Sequence, residues 1–184
     1  MRMMVTTIAL GLASVAGAQE TAPRPDCSAT TTTLPPELAK WSSSVPRTAA
    51  TSVGTASRAS LSVGQTAALR LMPTSAVRYA VPPEKAGKPA SHGGLASFTV
   101  TTTGTYRIAL GAGAWVDVVR DGKAVTSATH AHGPTCSAIR KMVDFKLTPG
   151  RYLLQIAGNA DPAQSPHRSK NGHLVERIGN GPRG

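Results

Sequence analysis

The sequence predicts an all-β fold, a single sandwich or barrel of about eight short strands. Three observations carry this. Short runs alternate apolar and polar side chains with the two-residue period of a half-buried strand. Gly, Pro and Asp-Gly turn signals separate the runs. No convincing helical period appears after Trp41.

Taken in order, residues 61–64 lead into an alternating run at 67–71, which Met72-Pro73-Thr74 stops. Residues 77–81 alternate again, and Pro82-Pro83 ends them because proline has no N–H to give a ladder. Residues 84–94 form a polar loop that holds His92. The next strand is 95–101, with Phe98 and Val100 on one face. Gly104 turns the chain into 106–110, with Tyr106, Ile108 and Leu110 inward. Residues 114–119 follow. Asp121-Gly122 suits the positive φ angles of a type I′ turn, so 116–120 and 123–126 read as a hairpin. Residues 142–147 come next, Pro149-Gly150 fits a type II turn, and 152–157 close the set.

The ends read differently. A basic start, an apolar run at 5–16 and Ala16-Gly17-Ala18 make residues 1–18 a secretory signal peptide. Neither this run nor any other reaches the roughly 20 residues of a transmembrane anchor. A periplasmic or secreted location follows, and there Cys27 and Cys136, the two cysteines, are expected to pair. Residues 19–60 form a polar arm, with a short ordered turn near Trp41 that docks on the domain. The sandwich spans 61–161. Residues 162–184, polar and basic, read as a disordered tail.

The formal charge is +11. The basic residues are scattered, Arg140-Lys141 being adjacent, and aromatics make up 4% of the chain. Nucleic-acid binders cluster cations and interleave aromatics for stacking, so that partner is excluded. The charge reads as solubility with a weak attraction to anionic surfaces.

Chemistry concentrates in residues 129–136, Thr-His-Ala-His-Gly-Pro-Thr-Cys. On a strand, His130 and His132 share one face, as ligands of a Zn, Cu or Fe ion would. His92 or Asp117 would have to complete such a site. The bland alternative is an exposed polar loop with Cys136 locked to Cys27. Asp117 otherwise faces solvent or meets Arg107 or Arg140 across the sheet. Trp115 and Tyr106 read as sheet-face or core residues, with a sugar-stacking platform as the alternative. No Gly-x-Ser-x-Gly elbow exists, and no residue is assigned a catalytic role.

Phe98-Thr-Val-Thr-Thr-Thr-Gly-Thr-Tyr106, the strand with Asp117, the Asp-Gly turn and Leu147-Thr-Pro-Gly-Arg-Tyr152 together resemble the bacterial pre-peptidase C-terminal type of domain. That resemblance implies a small jelly-roll sandwich that aids binding or secretion. Residues 115–125, the His-x-His-Gly-Pro-x-Cys element and 139–145 are also similar to small secreted bacterial proteins often labelled homogentisate 1,2-dioxygenase. That label implies a metal-dependent dioxygenase. In the cupin pattern a Glu would follow the His pair and a later strand would bring another His. Here Cys136 stands at the first place, and the strand from Tyr152 has no His.

The leading expectation is therefore a secreted, monomeric, non-enzymatic accessory or binding module without a cofactor. Its partner is a protein, a glycan or an anionic surface. The alternatives are a periplasmic metal-binding protein using His130, His132, His92 and Asp117, and a metal-dependent dioxygenase.

Overall fold

A computed structural model of the chain describes Cys27, residues 32–160 and the strand Gly172–Ile178. The expected leader, and the rest of the expected tail, lie outside the described residues. The fold is all-β. Its strands are β1 Ser44–Thr48, β2 Ser60–Leu61, β3 Thr66–Arg70, β4 Met72–Pro73, β5 His92–Val100 and β6 Gly104–Leu110. They continue with β7 Trp115–Arg120, β8 Lys123–Ala124, β9 Ser127–Ala131, β10 Lys141–Leu147, β11 Gly150–Asn159 and β12 Gly172–Ile178.

Two sheets form. One has the order β1-β3-β12-β6-β10-β9, the other β2-β5-β11-β7-β8, with β4 beside β5. Consecutive long strands alternate between sheets, so that β5 pairs with β11 while β6 pairs with β10. This folded-ribbon crossover is the pattern of a jelly roll. The expected alternation supplies the core. Phe98 and Val100 from β5, Tyr106, Ile108 and Leu110 from β6, and Val143, Phe145 and Leu147 from β10 all join one buried cluster.

Two tyrosines give Gly-Thr-Tyr and Pro-Gly-Arg-Tyr a structural role at the strand starts they occupy here. The Tyr106 hydroxyl donates to the Thr102 carbonyl (2.7 Å), and the Tyr152 hydroxyl donates to the Thr148 carbonyl (2.8 Å). Each buried ring thus ties its strand to the backbone four residues upstream, in the manner of a tyrosine corner. Tyr152 also accepts from Arg120 Nη1 (2.9 Å), whose guanidinium lies 5.3 Å from the ring centre.

The hairpin at Asp121-Gly122 forms as expected, with φ of 50° and 72°. Pro149-Gly150 departs from the expected type II turn, whose second central residue has a φ of about 80°. It carries the chain from β10 in one sheet to β11 in the other, and Gly150 has a φ of 151°.

The disulfide Cys27–Cys136 is present. It closes a loop with a sequence separation of 109, which in the chain-entropy account stabilises by about 4–5 kcal/mol. The arm is anchored a second time by Leu38 and Trp41, buried against Ala109 and Ile139 on the outer side of the first sheet. A short 3-10 turn at Pro36–Leu38 presents Leu38 to this cluster. Arg107 sits beside it, held by Asp144 (2.8 and 2.9 Å) and by Glu37 of the arm (3.5 Å).

Three expectations are corrected. First, the arm is not a linker up to residue 60. Residues 44–48 form β1, parallel to β3, and a 3-10 stretch at Val53–Ala59 buries Ala56 and Ala59. Small side chains hide these elements from a hydrophobicity pattern. Second, residues 77–81 are not a strand. The side chain of Gln155 in β11 takes the place of a neighbouring strand. Its Oε1 accepts from the N–H groups of Ala80 (2.9 Å) and Val81 (3.4 Å), and its Nε2 donates to the Val81 carbonyl (2.9 Å). Third, residues 172–178, expected as part of a disordered tail, form a strand. β12 lies between β3 and β6 and buries Val175 in the core.

Among the described residues, no helix is long and apolar enough to cross a membrane.

Candidate functional site

β8 pairs with Val119 and Arg120, so the first half of β7 is left as a sheet edge. At this edge a cleft of about 510 Å³ opens between the two sheets. β7 lends it Trp115 and Asp117, β9 lends His130, β10 lends Lys141, and the loop before β5 lends Glu84 and Lys85.

Trp115 is the centre of the arrangement. The ammonium of Lys141 lies 5.1 Å from its ring centre and that of Lys85 lies 5.6 Å away. Both are at cation–π distance. Lys141 Nζ also donates to the Ala114 carbonyl (3.1 Å). The indole Nε1–H donates to Asp117 Oδ1 (2.9 Å), and Gln155 Nε2 donates to Asp117 Oδ2 (3.0 Å). Gln155 therefore bridges the loop 80–81 to the Asp117 carboxylate, and the same loop goes on to carry Glu84 and Lys85.

Two ionisable groups here, Asp117 and Lys141, are perturbed. Burial raises the Asp117 carboxyl above its usual value, against the opposing hydrogen bonds from Trp115 and Gln155. Nearby Glu84 adds to the rise and Lys141 offsets part of it. Burial lowers Lys141, the charge of Lys85 lowers it further, and Asp117 acts the other way. Partly buried groups of both signs with perturbed titration, set in a cleft, are a mark of functional sites.

The structure brings together two of the four residues singled out by the sequence, Asp117 and His130. His132 lies just past β9 and its Nδ1 is 3.2 Å from the Arg140 carbonyl. His92 heads β5 opposite Asn159, with its Nδ1 buried and without a described partner. Cys136 is in the disulfide. Among the described residues, no three His, Cys, Asp or Glu side chains are placed to hold one metal ion. Both oxygens of Asp117 already accept hydrogen bonds from the protein. These donors do not make a fitting set for a catalytic iron, so no metal-dependent step is derived.

Asp117 does not meet Arg107 or Arg140. Its partners are Trp115 and Gln155, while Arg107 is taken by Asp144. Sequence reasoning missed Lys85, Lys141 and Gln155. Gln155 left a signal, a polar residue in the apolar run 152–157, since a buried amide must find partners.

No protein-family model and no curated protein matches the chain.

Proposed function

We propose that the protein is a secreted or periplasmic binding module without catalytic activity, and that the Trp115 cleft takes an acidic sugar. The observation that carries this reading is the pair of lysines, from two separate elements, within cation–π distance of one indole. Lys85 and Lys141 offer two ammonium groups to a ligand carboxylate, and His130 lines the same cleft. Glu84 supplies an acceptor for sugar hydroxyls. Such a mixture of an aromatic wall and a few polar groups suits a small polar ligand better than a flat protein surface.

Calorimetry with galacturonate oligomers and neutral dextran oligomers tests it. The expected result is binding of the acidic oligomer alone, weakened on the order of tenfold or more in the Lys85→Gln, Lys141→Gln double variant. Equal binding of both oligomers, or an unchanged double variant, would refute the reading.

A further inference from the structure

A second cleft, larger and separate, opens where β1 passes from the edge of the first sheet toward the second. Its volume is about 860 Å³. Arg47 of β1, Arg70 of β3 and Arg58 of the 3-10 stretch Val53–Ala59 all line it. The register sets Thr48 beside Arg70 and Arg47 beside Leu69, and Arg47 Nη1 donates to the Pro46 carbonyl (3.0 Å). All three guanidinium side chains belong to exposed residues.

What distinguishes these arginines is the lack of a carboxylate. Arg107 is held by Asp144 and Glu37, and Arg120 contacts Asp121. Among the described residues no acidic side chain lines the second cleft or pairs with Arg47, Arg58 or Arg70. The sequence explains this. Between Glu37 and Glu84 there is no Asp or Glu, while Lys40, Arg47, Arg58, Arg70 and Arg78 all fall in that stretch. Three cations sharing one cleft repel each other unless an anion sits among them. Guanidinium forks match the oxygens of a tetrahedral oxyanion with paired N–H donors. The hydroxyl-bearing Thr51 and Thr55 also line the cleft. Thr48 lines it too, and the rest of the lining is apolar, with Pro46, Ala50 and Met72.

We infer that the arginine cleft binds a phosphate group carried on an apolar body, the guanidiniums taking the phosphate and the apolar lining taking the rest. The site is independent of the acidic-sugar reading, which rests on Lys85 and Lys141.

Two probes separate the sources of such a phosphate, inorganic phosphate and dihexanoyl phosphatidate below its micelle concentration. Binding is read by calorimetry on the full chain at fixed ionic strength. The variant is Arg47→Gln, Arg58→Gln, Arg70→Gln. The control is Lys88→Gln, Lys123→Gln, Lys146→Gln, which removes the same charge from exposed positions outside the cleft. The cleft variant should lose on the order of a hundredfold in affinity, and the control severalfold at most. Loss of both probes would identify the phosphate group as sufficient. Binding and loss of phosphatidate alone would identify the amphiphile as the source. The Lys85→Gln, Lys141→Gln variant should bind phosphatidate as the wild type does. Equal losses in cleft variant and control, or no binding of either probe at millimolar concentration, would overturn the inference.

Discussion

Gln155→Leu should cost more stability than its size suggests and should disconnect the Trp115 cleft. The residue has no exposed surface. Its amide serves four partners, the Ala80 and Val81 N–H groups, the Val81 carbonyl and Asp117 Oδ2. Leucine keeps the volume and removes every bond. Each buried partner left unsatisfied costs about 1–3 kcal/mol. The Val81 N–H contact is long at 3.4 Å and is discounted. Three partners remain, and part of the loop can rehydrate on release, so a loss of roughly 3–5 kcal/mol follows. That is a large share of the roughly 5–15 kcal/mol typical of a domain. Urea titration, followed by far-UV circular dichroism, reads it as a lower midpoint. Gln155→Glu separates the bonds from the packing. Its carboxylate still accepts from Ala80 and Val81 but faces the Val81 carbonyl and the Asp117 carboxylate with a second negative charge. Its deficit should shrink as the pH falls and protonation restores a donor. Because residues 84 and 85 follow the tethered segment, the leucine variant should also bind the acidic oligomer more weakly. A change in stability below about 0.5 kcal/mol, within the range of an ordinary surface substitution, would refute the account of Gln155 as a strand substitute.

Two other outcomes are expected. Truncation after residue 171 should unfold the domain or leave it with exposed apolar surface, because β12 supplies ladder partners to both β3 and β6 and buries Val175; a truncated chain with the wild-type urea midpoint would contradict that. Asp117→Asn should change the pH dependence of stability in a definite direction. Burial raises the folded-state pKa of Asp117, so the folded chain holds this proton more tightly than the unfolded one. Stability from that proton is fully present below the ordinary carboxylate range, near pH 4, and is lost as the pH rises through the raised value. The difference in stability, wild type minus variant, should therefore fall with rising pH across that window, and a flat or rising difference would refute the assignment.

The central strands were legible because each carries its own alternation, and the alternating residues become the core. Asp121-Gly122 was legible because its turn type needs positive φ at both residues, and the structure has it. What escaped was pairing that does not depend on apolar side chains. β1 exposes four of its five residues and is defined by backbone register to β3. β12 comes from a polar, basic stretch, yet its place between two strands is a matter of backbone hydrogen bonding over long sequence separation. Conversely, residues 77–81 have the alternation of a strand without a strand beside them, and one glutamine side chain satisfies their backbone instead.

The candidate site divides in the same way. The histidine pair, two residues apart, suggested a shared face, but β9 ends at Ala131 and His132 turns to the Arg140 carbonyl. Spacing predicts a common face only while the strand continues. Asp117 and His130 do reach one cleft, because β7 and β9 lie at corresponding edges of the two sheets. Lys85 and Lys141 come from elements 56 positions apart and meet only over the Trp115 ring. No local pattern encodes such a meeting, since it depends on the ribbon crossover that brings β10 of one sheet and the loop before β5 to the same end of β7. The arginine cleft has the opposite character. Its positions are scattered, but the want of carboxylates from residue 38 to residue 83 is a one-dimensional fact. Where that stretch folds back on itself, Arg47, Arg58 and Arg70 line one cleft with no carboxylate of the same stretch to pair them. Composition within a segment, rather than residue spacing, was therefore the usable signal for that second site.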